Sequence, residues 1–265
     1  MKQGDIIKLG RVVLKVKRCN IKNGKYNEAV KESLIQCESN AGIGELCKIC
    51  HTEEDTIRNP LLSICHCTGS MRFVHYNCLK IWLNYKLTIK KQEHLNSYTW
   101  KSFACEICKA PYHSSIMHGG IEYTLADIPL PFADSYIVLE TSTKGKFHSK
   151  SIHVLIPNET KSVFKIGRGH ESDIKVADIS VSRTHAKISM TEEGFALEDY
   201  RSRFGTLLLL NNEPKEIDAD DGLTVQVGRT IITFSLGQKD CIGLRGVDIQ
   251  NIEQTRTYRR EISNT

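Results

Sequence analysis

Seven cysteines and one histidine between Cys47 and Cys108 fall into four close pairs: Cys47-x2-Cys50, Cys65-x-Cys67, His75-x2-Cys78 and Cys105-x2-Cys108. A turn of this kind points two ligand atoms at one place, and a d10 cation without geometric preference of its own accepts four such groups tetrahedrally. Each pair therefore needs a second pair, and eight ligands imply two structural zinc ions. Cys19, Cys37 and Cys241 stand apart from the cluster, so the cysteine distribution suits metal binding in a reducing compartment better than a disulfide framework. His51 and His66 lie beside ligands but are read as bystanders, since both tetrahedra are already filled.

The rest of the chain constrains less. At 265 residues with 40% hydrophobic and 25% charged residues, two modest folded domains are expected. The formal charge of +5 is dispersed, and groups such as Lys86, Lys90, Lys91 and Arg256, Arg259, Arg260 are small, so no nucleic-acid partner is expected. No apolar run approaches the roughly 20 residues a bilayer-spanning helix needs, and Met1 leads into Lys2, Gln3 and Gly4 rather than a signal peptide. A cytoplasmic or nuclear location without a membrane span is the corresponding expectation.

Along the chain, the cysteine-dense stretch gives way to short segments rich in β-branched residues, such as Tyr136–Leu139, His153–Ile156, Ala186–Ser189 and Thr230–Phe234, punctuated by turn residues. The expected organisation is an N-terminal segment (1–38), a zinc finger (39–115), a linker (116–133), an all-β sandwich (134–238) and a C-terminal tail (239–265). One internal repeat stands out. Gly4–Val16 (GDIIKLGRVVLKV) aligns without gaps on Gly222–Phe234 (GLTVQVGRTIITF), including Gly10-Arg11 on Gly228-Arg229. The first residues thus look like the last hairpin of a sandwich. They either add strands to the downstream sheet or mark a truncated version of a longer protein.

The ligand order resembles the RING-CH, or RING-variant, finger of the membrane-associated RING-CH ubiquitin ligases and related proteins. Trp82, four residues after Cys78 in a segment with Leu79 and Leu83 at helical spacing, agrees with that family. A PHD finger is the nearest rival, and Phe103 is its one matching feature, but seven residues separate Cys67 from His75 where PHD fingers have four or five. The resemblance implies an interleaved cross-brace: Cys47, Cys50, His75 and Cys78 on one zinc, and Cys65, Cys67, Cys105 and Cys108 on the other. It also implies a ubiquitin-conjugating enzyme as partner, docked on Ile49, Trp82, Lys109 and Pro111 with neighbouring Ala110; the alternative for Ile49 and Trp82 is that they only pack the finger's small core. Lys109 stands where active ligases of this type often carry arginine, whose planar fork lysine lacks. The stretch from Cys78 to Cys105 is long for the family, and its polar insertion around Lys90–Ser97 is expected to lengthen a loop.

The second half resembles the forkhead-associated (FHA) domain, a β-sandwich that recognises phosphothreonine. The carrying motifs are Gly167-Arg168, Ser182-Arg183-Thr184-His185 and Phe204-Gly205-Thr206, with Asp199 at the family spacing. A phosphate carries close to two charges and three strong acceptors, so an arginine fork and a hydroxyl aimed at one point suit it. By resemblance Arg168 and Ser182 supply these, Arg183 adds a contact, and His185 braces the loop. Phe204 departs from the family's asparagine and cannot hydrogen-bond the peptide backbone.

The expected fold is a small α+β zinc-stabilised cross-brace finger followed by an all-β, FHA-like sandwich. The expected function is a soluble RING-CH ubiquitin ligase that recruits phosphothreonine-containing proteins, acting by positioning and without a catalytic nucleophile. The alternative is a non-catalytic phosphopeptide adaptor or scaffold. A chromatin reader ranks last.

Overall fold

A computed structural model describes residues 1–22, 35–37, 42, 44–142, 148–210, 222–228 and 230–235. Cys241, Arg256, Arg259, Arg260 and the tail 239–265 lie outside the described residues. The chain forms two compact units, and the larger one contains residues 1–208.

The chain opens on a hairpin, β1 (Ile6–Leu9) and β2 (Val12–Asn20), turned at Gly10 with φ of +58°. After the short β3 (Ile35–Gln36), the finger contains the pair β4 (Leu61–Leu62) and β5 (Val74–His75), then helix α1 (Tyr76–Tyr85). Helix α1 buries Leu79 and Leu83, one turn apart, and turns Trp82 outward. Its first turn is held by Tyr76 N–H on Pro60 O at 3.0 Å and by Asn77 N–H on Asn59 Oδ1 at 2.9 Å.

The polar insertion is a hairpin, not a loop: β6 (Leu87–Lys91) pairs with β7 (Leu95–Trp100). Its polarity reflects an edge strand, since four of the five β6 residues are exposed, while β7 alternates and buries Leu95, Tyr98 and Trp100. The expected linker is also packed. It forms β8 (Ser115–His118) and β9 (Ile121–Thr124), buries Ile116, Leu125 and Ala126 in the finger core, and sets the buried Tyr123 ring edge-on to Tyr76 of helix α1.

Next come β10 (Tyr136–Ser142), β11 (Lys150–Leu155), β12 (Val163–Gly167), β13 (Ile174–Lys175), β14 (Ala186–Thr191), β15 (Gly194–Asp199) and β16 (Thr206–Leu208). Strands β12 to β15 make a four-stranded sheet in the order β13-β12-β14-β15. The other sheet has seven strands in the order β16-β1-β2-β10-β11-β7-β6. It draws on the N-terminal hairpin, the sandwich and the finger's insertion together. The N-terminal repeat adds strands to the downstream sheet: β1 pairs with β16 through Ile7↔Leu208, and β2 with β10 through Leu139↔Val16.

Strand alternation gives this sheet two buried faces. Ile137, Leu139 and Leu155 join Ile7, Leu9, Val12, Leu14 and Val16 in a core shared with Phe164, Ile166, Ile188 and Phe195 of the four-stranded sheet. Val138, Ile152, Val154, Tyr98 and Trp100 point the other way, into a core with Phe73, Leu79, Leu83 and Phe103 of the finger. Finger and sandwich are thus opposite sides of one hydrogen-bonded sheet, and no flexible tether sets the distance between them.

At the seam of β7 and β11, His153 pairs with Ser97 and their side chains hydrogen-bond, Nδ1 to Oγ, at 2.9 Å. Burial lowers the His153 pKa to about 4, from an ordinary 6.5. The unfolded chain takes up this proton at higher pH than the folded one, so the contribution is complete above pH 6.5 and disappears as pH falls toward 4. The loss amounts to roughly 3 kcal/mol. Urea unfolding across that range should show His153→Gln losing about that much less stability than the parent; parallel curves would contradict a buried neutral imidazole.

The second unit, Leu209–Arg256, contains among its described residues the hairpin β17 (Leu223–Val227) and β18 (Thr230–Phe234), in register Val227↔Thr230.

Candidate functional site

The ligand atoms of Cys47, Cys50, His75 and Cys78 lie within 4.8 Å of one another, as do those of Cys65, Cys67, Cys105 and Cys108. Zn–S bonds of about 2.3 Å make tetrahedral ligands about 3.8 Å apart. Cys67 and Cys105 Sγ are 3.8 Å apart, and His75 Nδ1 is 3.1 Å from Cys50 Sγ and 3.9 Å from Cys78 Sγ. Both groups fit zinc, and the first and third pairs interleave with the second and fourth. His75 presents Nδ1 to the metal because its Nε2–H is taken by the Glu54 carbonyl, which fixes the tautomer and the ring plane.

The two C-x2-C knuckles have the same backbone. His51 N–H donates to Cys47 O and Lys109 N–H to Cys105 O, each at 2.9 Å, and His51 and Lys109 share the left-handed conformation with φ of 60° and 61°. Further donors converge on the sulfurs: Ile49 and His75 N–H on Cys47 Sγ at 3.4 Å, and Lys48 Nζ on Cys65 Sγ at 3.4 Å. These offset the negative charge that thiolates bring to a buried centre.

On the outer surface of the knuckles and of helix α1, apolar side chains face solvent. Ile49 is 41% and Trp82 42% exposed, so neither is consumed by the finger's core. Ile107 occupies in the second knuckle the place Ile49 has in the first and is 58% exposed, and the repeated Cys-x-Ile-Cys spacing is the sequence signal for it. Lys86 bridges the helix to this knuckle, with its ammonium 4.7 Å from the Trp82 ring centre and paired with Glu106. Lys109 turns its ammonium back onto the Glu106 carbonyl of its own knuckle. Pro111 is exposed beside the bridge that pairs it with Ala104.

In the sandwich, the loops after β12, before β14 and before β16 meet. Gly167 lies so close to the Arg183 carbonyl that a Cβ would sit 2.1 Å from its oxygen, which only glycine permits. Arg168 N–H donates to Ser182 O at 3.0 Å and Gly169 N–H to Arg183 O at 2.9 Å, so Arg168, Ser182 and Arg183 come from two loops locked backbone to backbone. His185 joins the third. Its Nδ1 accepts from Ser182 N–H and its Nε2–H donates to Gly205 O, both at 3.1 Å, a pattern that requires the neutral ring. Burial lowers its pKa accordingly.

Ser182 Oγ accepts from Arg203 N–H at 3.0 Å. Arg168 and Arg183 are exposed, and Phe204 is half-exposed with the Arg203 guanidinium 5.4 Å from its ring centre. Arg203 had no motif to mark it. Asp199 anchors the third loop by accepting from Ser202 Oγ at 2.6 Å and Thr206 Oγ1 at 2.7 Å.

A cross-braced two-zinc finger and a sandwich with a basic loop cluster define the class of each half. Residues 47–108 match the RING-variant domain and residues 164–231 the FHA domain. Among curated proteins, E3 ubiquitin-protein ligase MARCHF7 of Pongo abelii is 27% identical over 175 residues, covering 65% of this chain and 23% of its own length. Probable E3 ubiquitin-protein ligase MARCHF10 of Rattus norvegicus is 41% identical over 80 residues, covering 30% of this chain and 9% of its own. E3 ubiquitin-protein ligase MARCHF8 of Xenopus tropicalis is 40% identical over 65 residues, 24% and 19% respectively. The chain therefore spans less than a quarter of the length of these relatives.

The cytoplasmic or nuclear location expected from the sequence does not stand, because these relatives belong to the membrane-associated RING-CH ligases. Among the described residues no helix is long and apolar enough to cross a membrane, and this fixes no compartment.

Proposed function

We propose that the chain is a RING-variant ubiquitin ligase that recruits phosphothreonine-containing partners through its FHA domain. The observation that carries this reading is the exposure of Ile49 and Trp82 on a metal-fixed surface of a domain shared with named ligases. There a ubiquitin-conjugating enzyme would dock, with Lys109 and Pro111 at the rim. The finger forms no covalent intermediate; it holds the ubiquitin thioester in a reactive geometry. Arg168, Ser182 and Arg183 bind the phosphate, while Phe204 offers apolar contact to the neighbouring peptide residue in place of a backbone hydrogen bond. Because both docking surfaces lie on one body built around a common sheet, a bound phosphoprotein meets the thioester within a narrow range of positions.

The test combines purified chain, a panel of conjugating enzymes, ubiquitin and ATP. Ubiquitin ladders are expected and should vanish with Ile49→Ala or Trp82→Ala. Arg168→Ala should weaken phosphothreonine-peptide binding by about tenfold or more, as loss of a charge-assisted contact requires. Equal affinity for unphosphorylated peptides would remove the second half of the reading.

A second reading, a non-catalytic adaptor, is favoured by Lys109, whose ammonium is engaged by its own knuckle and lacks the arginine fork. Phosphopeptide binding with no ladder from any conjugating enzyme would select it.

A further inference from the structure

The repeat between the first residues and β17–β18 extends to backbone geometry. Both hairpins begin at a glycine with positive φ, Gly4 at 93° and Gly222 at 64°, and both turn at one, Gly10 at 58° and Gly228 at 62°. Their registers superimpose: Leu9↔Val12 in the first corresponds to Val227↔Thr230 in the second. Two hairpins that merely share a turn would need no more than this.

The likeness goes further, into residues that fit one particular place. Gly10 packs so tightly on Ser180 that a Cβ would lie 2.4 Å from its Oγ. Arg11 donates its N–H to Ser180 Oγ at 2.9 Å and its guanidinium to Asp178 at 3.2 Å. The second hairpin carries the same Gly-Arg pair. The core-facing positions Ile7, Leu9, Leu14 and Val16, all buried, correspond to Val225, Val227, Ile232 and Phe234. A lone two-stranded hairpin has no second layer on which to bury such a face. Moreover, the FHA match extends to residue 231, well into β17–β18, although β1–β2 occupies the sheet position between β16 and β10.

We propose that β17–β18 is a second occupant of the sheet position held by β1–β2, and that the two hairpins exchange within one chain. Same-chain exchange is favoured because β16, which borders this position, ends at Leu208 and β17 begins at Leu223. That tether can span at most about 54 Å and keeps the second hairpin at high local concentration. The resident hairpin holds the place because β2 runs nine residues against five for β18, which adds the pairs Ile137↔Cys19 and Tyr136↔Asn20. Val12, buried at the turn, also becomes Thr230 in the rival.

Hydrogen exchange of the full zinc-loaded chain reads the occupancy directly. In the parent, amides of 6–20 are protected and those of 222–234 exchange fast. Gly10→Val, which clashes with Ser180 and the left-handed turn, should reverse the two while β10 and β16 stay protected. Gly10→Val with Gly228→Val should lose protection along β10 and β16 as well. Arg11→Ala, a mild change outside the core, should speed exchange in 6–20 with a matching gain in 222–234. Acceleration in 6–20 without any gain in 222–234, in either single variant, would overturn the proposal. So would a gain accompanied by doubling of the native mass, which would put the hairpin into a second copy.

Discussion

Chelation of zinc from the purified chain is expected to unfold the finger and, in the same step, to lower the thermal transition of the sandwich. Structural zinc contributes on the order of 10–16 kcal/mol per ion in small fingers, as much as or more than the roughly 5–15 kcal/mol that holds a typical domain together. The loss does not stop at the metal. Val138, Ile152 and Val154, buried on the finger-facing side of the sheet, would be uncovered, as would Tyr98 and Trp100, which the insertion brings to the same core. At about 25 cal/mol per Å² of apolar surface, exposing a sheet face of this kind costs several kcal/mol. Calorimetry of the parent, of Cys47→Ser and of Cys65→Ser should therefore show one coupled transition falling in both variants, since each removes a ligand from a different zinc. A sandwich transition that stays in place after chelation would mean that the two halves fold independently.

The second large effect is expected at Glu140. This carboxylate lies on central strand β10 on the side facing the finger, and Lys150 Nζ donates to its Oε1 at 2.8 Å. Ser114 Oγ donates to Oε2 at 3.1 Å, and Lys17 lies 3.7 Å from the same oxygen. The Glu140 and Lys150 side chains are 12% and 8% exposed, and the Lys150 ammonium stands 5.0 Å from the centre of the Phe103 ring. Glu140→Ala removes the carboxylate from a largely buried ion pair, which typically costs about 3–5 kcal/mol, even though Lys150 still donates to Ser114 Oγ. For a unit of this size that corresponds to a drop in Tm of roughly 10 °C. Glu140→Leu combined with Lys150→Leu should recover most of the loss, because paired burial of charges is seldom more stable than a packed apolar pair. If Glu140→Ala melts with the parent, the seam is wetter than the structure indicates.

Both expectations arise from one arrangement, a sheet covered by the finger on one face and by four strands on the other. It bears on the proposed activity as well. A ligase with its recognition domain on a long tether samples many orientations of the bound protein, whereas a single body limits which lysines can reach the thioester. Changes along the β7–β11 seam, such as at His153, would then alter lysine choice without touching either docking surface.

Side chains whose chemistry is local were legible in the sequence. Cys-x2-Cys turns place two thiolates together wherever the chain leads, so the two zinc groups could be written down pair by pair. Gly167-Arg168 and Ser182 through His185 were readable as contiguous motifs, and the structure brings their two loops together backbone to backbone. Ile107 could have been read from the repeated knuckle, whereas Arg203 carries no such mark.

Strand partnership was not legible. The insertion around Lys90–Ser97 looked like a polar loop because one of its strands is a solvated edge, and only the partner β11 makes the segment part of a core. The N-terminal hairpin and its copy at 222–234 present the same alternation and the same turn, so local pattern could not say which one belongs beside β10. Strand β2 lies more than a hundred residues before its partner β10 and pairs with it by backbone hydrogen bonds, which carry no side-chain signature. The tertiary structure decided that pairing, and with it the union of finger and sandwich in one body.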